Sequence, residues 1–219
     1  MQRLIRSLIP KSALIGAFLL TILLPVSPAG AVSILLNGSF EQGADPGGPC
    51  CLMVPAGSGD ITGWEVIGHS VDYIGAAGIW PASDGDRSLD LAGDDLGGVQ
   101  QTFETIVDQM YVVSFDLAGN PFGPEDKVAN VSAGDSSVNF SFNTSGSSLD
   151  DMNWTPQTFT FTATSTTTTL AFMAVSPPSP SPHGAALDNV EVNAIPEPST
   201  ILLLGCGLAG LAALRRRRD

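Results

Sequence analysis

Between Val32 and Pro196, hydrophobic residues fall at alternate positions in short runs, and no segment there keeps a convincing helical period. The alternation is clearest at Val113/Phe115/Leu117, Val138/Phe140/Phe142, Phe159/Phe161 and Leu170/Phe172. Clusters of Gly, Asn, Asp and Pro separate the runs, and the chain holds 24 Gly and 16 Pro in 219 residues. Strands are predicted at Ser33–Leu36, Trp64–Ile67, Val71–Ile74, Ser88–Leu91, Val99–Phe103, Tyr111–Leu117, Ala129–Ala133, Ser136–Phe142, Gln157–Thr162, Thr168–Ala174 and Leu187–Val192. That many short strands in one domain predict an all-β fold, an antiparallel jelly-roll β-sandwich. The threonine tract Thr164–Thr169 suits a solvated strand face, and Ser176–Pro182 reads as an extended loop.

Charge divides the chain into three. Seven of the nine basic residues lie at the ends: Arg3, Arg6 and Lys11, then Arg215, Arg216, Arg217 and Arg218. From Val32 to Pro196 only Arg87 and Lys127 oppose twenty acids, a formal charge of 2 − 20 = −18. Such a surface disfavours nucleic acid, whose phosphates need clustered cations. Residues 1–31 have the parts of a secretory signal: a basic start, the apolar run Ala13–Leu24, and a small-x-small cleavage site at Ala29-Gly30-Ala31. Cleavage after Ala31 leaves a domain at residues 32–194 and a tail at residues 195–219. In the tail, an apolar run from Ile201 to Leu214 precedes the arginines, which stay cytoplasmic by the positive-inside rule. This hydrophobic helix holds the chain in the membrane before processing.

Pro196-Glu197-Pro198, an apolar helix and a terminal arginine cluster resemble a PEP-CTERM sorting signal of Gram-negative bacteria. The resemblance implies recognition by an exosortase, removal of the helix, and delivery to the cell surface or extracellular matrix. The alternative is an ordinary tail anchor. Gly205-Cys206-Gly207-Leu208-Ala209-Gly210 matches a dinucleotide fingerprint, but the chain ends too soon to supply the rest of that fold. Small residues in a membrane helix explain it better.

A second set of motifs runs through the middle: Asn37-Gly38-Ser39-Phe40-Glu41, Ile61-Thr62-Gly63-Trp64, Val71-Asp72-Tyr73-Ile74-Gly75, Ser83-Asp84-Gly85-Asp86-Arg87-Ser88-Leu89-Asp90-Leu91, Phe115-Asp116-Leu117-Ala118-Gly119-Asn120 and Ala186-Leu187-Asp188-Asn189-Val190. Together they resemble the choice-of-anchor C family, which is similar to plant cell-wall proteins of unknown function with galactose-binding-like folds. The resemblance bears on fold and location, and only weakly on activity.

It also implies a structural calcium ion. In similar carbohydrate-binding jelly rolls an early Glu, a late Asp and backbone carbonyls hold the ion where first and last strands meet. Carried over, the ligands are Glu41 and Asp188, with carbonyls near Asn37 and Ser39. The alternative is that these acids cap turns and bond backbone amides. Sugar sites pair aromatic faces with polar groups that read hydroxyls. The aromatic candidates are Trp64, Tyr73, Trp80 and Trp154, and the polar ones Arg87, Gln100 and Asn120. Trp80, between Gly78-Ile79 and Pro81, is the favoured ring, whereas Trp64 reads more simply as a core plug. Arg87 has the alternative of a salt bridge to a neighbouring acid.

Catalytic signatures are absent. His69-Ser70 with Asp72 has the residue types of a triad, but neighbours on a strand do not converge. No G-x-S-x-G or H-E-x-x-H is present. Cys50 and Cys51 are adjacent, leaving a vicinal bridge, intermolecular bridges or reduced thiols open. The expectation is an exported, non-enzymatic β-sandwich that binds or organises extracellular polysaccharide. The rival is a purely structural matrix protein or adhesin, and a polysaccharide-active enzyme is more remote.

Overall fold

The computed structural model describes residues 33–176, 182–196 and 200–216. The signal segment with Ala29 and Ala31 lies outside these residues, as do Glu197 and Pro198 of the sorting motif. Among these residues eleven strands form two antiparallel sheets. The strands are β1 (Cys51–Pro55), β2 (Glu65–Gly68), β3 (Ser70–Ile74), β4 (Ser88–Asp90), β5 (Gly97–Glu104), β6 (Met110–Gly119), β7 (Asp126–Ala133), β8 (Ser136–Asn143), β9 (Thr155–Thr162), β10 (Thr167–Ser176) and β11 (Ala185–Ala194). The six-stranded sheet runs β1-β3-β4-β11-β6-β9 and the five-stranded sheet β2-β5-β10-β7-β8.

The period-two pattern builds the core. On β6, Tyr111, Val113, Phe115 and Leu117 are buried while Val112, Ser114 and Asp116 between them are not fully so. On β10, Leu170, Phe172 and Ala174 do the same from the facing sheet. Phe172 joins the layers, with ring centroids 5.1 Å from Phe115 and 6.4 Å from Trp64. Trp64 is thus a core plug, and its indole Nε1 donates to the Asn37 carbonyl at 2.9 Å.

Ten of the eleven predicted strands are present; Ser33–Leu36 is not. That segment does run beside the last strand, as Ile34 N donates to Val192 O at 3.1 Å and Val190 N to Gly38 O at 2.9 Å. But Leu36 bonds a side chain instead of a ladder. Its N–H donates to Gln101 Oε1 at 2.8 Å, and its carbonyl accepts from Gln101 Nε2 at 2.9 Å. A single amide side chain replaces a strand partner there. β1, which is not among the predicted strands, forms the sheet edge beside β3. A helix, α1 (Thr200–Arg216), covers the apolar tail run and ends in Arg215 and Arg216. Its 17 residues rise about 25 Å, and no helix among the described residues is long and apolar enough to cross a membrane.

Candidate functional site

Strand register puts Ile74 opposite Ser88, and Asp188 opposite Asp116. These residues alternate with the inward Leu89, Leu187 and Leu117, so they belong to the outer face of the six-stranded sheet. Ser88 and Asp188 are nevertheless fully buried. The cover is the β3–β4 connection, residues 75–87, which straps across that face. Trp80 Nε1 donates to Ser88 Oγ at 3.0 Å, Ser83 Oγ to Asp116 Oδ2 at 2.6 Å, and Trp154 Nε1 to Pro81 O at 3.1 Å.

The two carboxylates expected to bind calcium clamp this strap. Asp188 Oδ2 accepts from the amides of Ser83 and Asp84 at 2.7 and 2.9 Å. Glu41 Oε1 accepts from the amides of Asp86 and Arg87, both at 2.8 Å. Gly85 sits between them at φ +68°, and a Cβ there would come within 2.4 Å of Glu41 Oε1. Burial pushes the Asp188 carboxyl up to about 7; its three backbone amide bonds oppose the rise and neighbouring Asp84 adds to it. The amides occupy two acceptor positions on Glu41 and three on Asp188, counting the Asn189 amide, out of about four per carboxylate. Acceptor capacity remains on each. The Asn37 carbonyl is engaged by Phe40 N and Trp64 Nε1, and its side chain brackets Gln42 and Thr62. Ser39 lies between Gly38 and Phe40 in the same turn. Among the described residues, no three His, Cys, Asp or Glu side chains gather as a metal cluster.

Beside the clamp is a cleft of about 300 Å³ lined by Glu41, Asp45, Pro46, Gly75–Ala77, Asp86 and Arg87. Arg87 is fixed in it: Nη1 donates to Tyr73 Oη at 2.7 Å and to Ala44 O at 3.2 Å, and the guanidinium lies 5.2 Å from the Tyr73 ring centroid. Tyr73 is itself buried, with its hydroxyl donating to Phe40 O, so Arg87 and not the ring faces the cleft. Cys50 and Cys51 are disulfide-bonded to each other. Cys51 pairs with Ile74, and the Cys50 carbonyl lies against Gly78, so this pair braces the cleft wall.

The structure disperses the other expected sugar residues. Trp80 is 4% exposed and Tyr73 is fully buried, so neither ring offers a face to a ligand. Trp80 does lie in a loop, the β3–β4 connection, but that loop folds its indole down onto the sheet. Asn120 is also buried, donating through Nδ2 to Asp90 Oδ2 at 2.8 Å. Gln100 lies elsewhere, bonded to Glu65 at 2.8 Å in a groove of about 430 Å³ that Leu36, Ser58 and Thr102 also line. Sequence reasoning missed Asp45 and Pro46; Asp86 stood out only within the motif Ser83–Leu91.

A buried polar cluster lies behind Asn120. Asp90 accepts from Ala92 N, Gly184 N and Asn120 Nδ2, and burial pushes its carboxyl up to about 7. Asp72, opposite Asp90 in the ladder, is raised to about 6 by burial and by Asp94. Lys127 is buried too, and Nζ donates to Phe122 O at 2.7 Å and His183 O at 3.0 Å. Asp90, Asn120 and Lys127 are each hydrogen-bonded into the scaffold, an arrangement that holds loops together.

A family model described as "Protein of unknown function (DUF642)" matches residues 33–193, and the PEP-CTERM protein-sorting motif matches residues 194–218. No curated protein matches the chain. Among solved structures, a family 61 carbohydrate-binding module in complex with β-1,4-galactotriose superposes with a TM-score of 0.53 at 15% identity, over 75% of this chain and 100% of that one. A family 35 carbohydrate-binding module from Clostridium thermocellum gives 0.44 at 11% identity, over 64% and 97%. The CBM22-1 xylan-binding domain of Paenibacillus barcinonensis Xyn10C gives 0.43 at 13% identity, over 71% and 100%. The first of these, at a TM-score of 0.53 and 15% identity, shows the fold, a jelly-roll sandwich, and the narrower choice-of-anchor C name stays a resemblance. With residues 33–193 of 219 matched by one model, the chain belongs to the DUF642 family and carries a PEP-CTERM sorting motif at its C-terminal end.

Proposed function

We propose that this is an exported, non-catalytic module that binds extracellular polysaccharide at the Arg87 cleft after an exosortase has removed its tail. The sorting motif supports export and processing from a transient inner-membrane anchor to the surface or matrix of a Gram-negative bacterium. The fixed guanidinium among Glu41, Asp45 and Asp86 carries the choice of site. These groups read hydroxyls by charge-assisted hydrogen bonds. The cleft is small and has no stacking ring, so it suits the end of a glycan chain better than its length. Structural calcium at Glu41 and Asp188 belongs to the same proposal, since both carboxylates meet at one turn and keep acceptor capacity.

A glycan array probed with the secreted protein tests the binding. Expected are retained glycans that share a terminal residue and are lost with Asp86→Asn and Arg87→Met. If no glycan is retained, or if binding survives both substitutions, the cleft is not a sugar site. In the first case the purely structural alternative stands.

A further inference from the structure

Three of the large exposed hydrophobic side chains cluster at one end of the sandwich. Ile106 is 70% exposed, Met110 48% and Val107 46%, all in or beside the β5–β6 turn. The turn is held rigidly. Gln109 N donates to Ile106 O at 3.1 Å, Asp108 N to Ala163 O at 2.8 Å, and Ile106 N to Tyr111 Oη at 2.9 Å. The backbone amides of Ile106, Asp108 and Gln109 are therefore satisfied within the protein while the apolar side chains of Ile106, Val107 and Met110 are exposed. Groups with internally satisfied amides can enter an apolar medium without the cost of bare N–H groups.

The same turn holds the exit of the tail. Gln109 Nε2 donates to Ile195 O at 2.6 Å, and Ile195 N to Met110 O at 2.9 Å. Only four residues, 196–199, separate Ile195 from Thr200, where α1 begins, so five Cα-to-Cα steps join them. Even fully extended, they span about 18 Å. Whenever α1 is seated in a bilayer, the apolar turn is thus held within that distance of the lipid surface. Glu104 and Asp108, at the end of β5 and in the turn itself, oppose contact with an anionic surface, so the fitting surface is zwitterionic.

We infer that Ile106, Val107 and Met110 form a lipid-contacting tip, which seats the domain on the outer surface of the membrane while the tail is still attached. The inference rests on the tail being membrane-held. The interface would be shallow, like that of side chains entering the boundary between headgroups and acyl chains.

The test uses the full chain reconstituted into vesicles of phosphatidylcholine and phosphatidylethanolamine, with and without bromine on the acyl chains. Ile106→Trp and Met110→Trp place a reporter on the tip. Phe122→Trp is the control, since Phe122 is 50% exposed but lies in the β6–β7 loop at the other end of the ten-residue β6. Emission is taken as the difference from the parent chain. Expected is quenching by brominated lipid at both tip positions and none at position 122. Equal emission at the tip in both lipids, with the chain floating with the vesicles, overturns the tip and leaves the anchored tail intact. A chain that does not float overturns the anchored tail and the tip with it. Quenching that appears only when the sorting enzyme is co-embedded also overturns the lipid assignment, and makes the tip a protein contact.

Discussion

Glu41 and Asp188, from opposite ends of the domain, grip the same turn from its two sides. Glu41 accepts the amides of Asp86 and Arg87, and Asp188 those of Ser83 and Asp84. The strap over the six-stranded sheet is thereby tied to both the first segment and the last strand.

Calcium and plain capping make different predictions for this grip. An ion that binds only the folded state adds about 2.7 kcal/mol at a hundredfold excess over Kd. If calcium is held there, chelation lowers the melting temperature, and Glu41→Ala and Asp188→Ala each abolish that response while Asp95→Ala keeps it. A melting curve that is identical with and without calcium, on protein shown to be metal-free, leaves the two acids as caps of amide groups.

Gly85→Ala should destabilise the domain by about 1–3 kcal/mol, because it forces a side chain into positive φ and against Glu41 Oε1. The same change at Gly59, where an added Cβ meets nothing within 4 Å, should be close to neutral. Comparable losses in urea unfolding at both positions would show that the turn tolerates the side chain.

Phe172→Ala should cost about 3–5 kcal/mol, since it removes the ring that touches Phe115 and Trp64 across the two sheets. Phe122→Ala, which truncates a half-exposed ring, should cost far less. Denaturant midpoints at unchanged slope measure both.

The raised carboxyls give the domain an acid-side optimum. Asp90 and Asp188 titrate near 7 when folded against about 3.9 when unfolded. Between those values the folded state binds more protons than the unfolded one, so stability falls as pH rises through that window. The contribution is full below about pH 4 and lost above about pH 7. Measured without calcium, the domain should melt higher at pH 5 than at pH 8. Asp90→Asn should lower the melting temperature throughout yet flatten its pH slope; an unchanged slope would show that Asp90 is ionised at all these pH values.

Replacing Pro196-Glu197-Pro198 with alanines should leave the chain in the inner membrane, as fractionation would show. Normal arrival at the surface would sink the sorting role.

Much of the sandwich was legible because a half-buried strand writes its inner face at every second position, as Val113, Phe115 and Leu117 do. Ser33–Leu36 misled because it has strand composition, yet beyond the bond from Ile34 to Val192 its Leu36 takes its partner from the side chain of Gln101, which no local pattern reveals. β1 was missed because Cys51–Pro55 contains one fully buried residue and ends in proline. The clamp residues were visible as an early Glu and a late Asp, yet their partners on the strap were not. Trp80 shows the limit. Whether a loop tryptophan faces solvent depends on where its loop lies, and here the loop lies on Ser88.

The tail leaves the domain from β11, which lies inside the six-stranded sheet between β4 and β6. A pull transmitted through Ile195 therefore runs along a strand bonded on both sides. Eight paired positions to β6 and two to β4 share the load in shear. An edge strand would peel away one bond at a time, whereas this one must slide against two neighbours at once. If the tail holds the domain at a surface, as proposed, this geometry puts any drag on the domain across two strand ladders in shear.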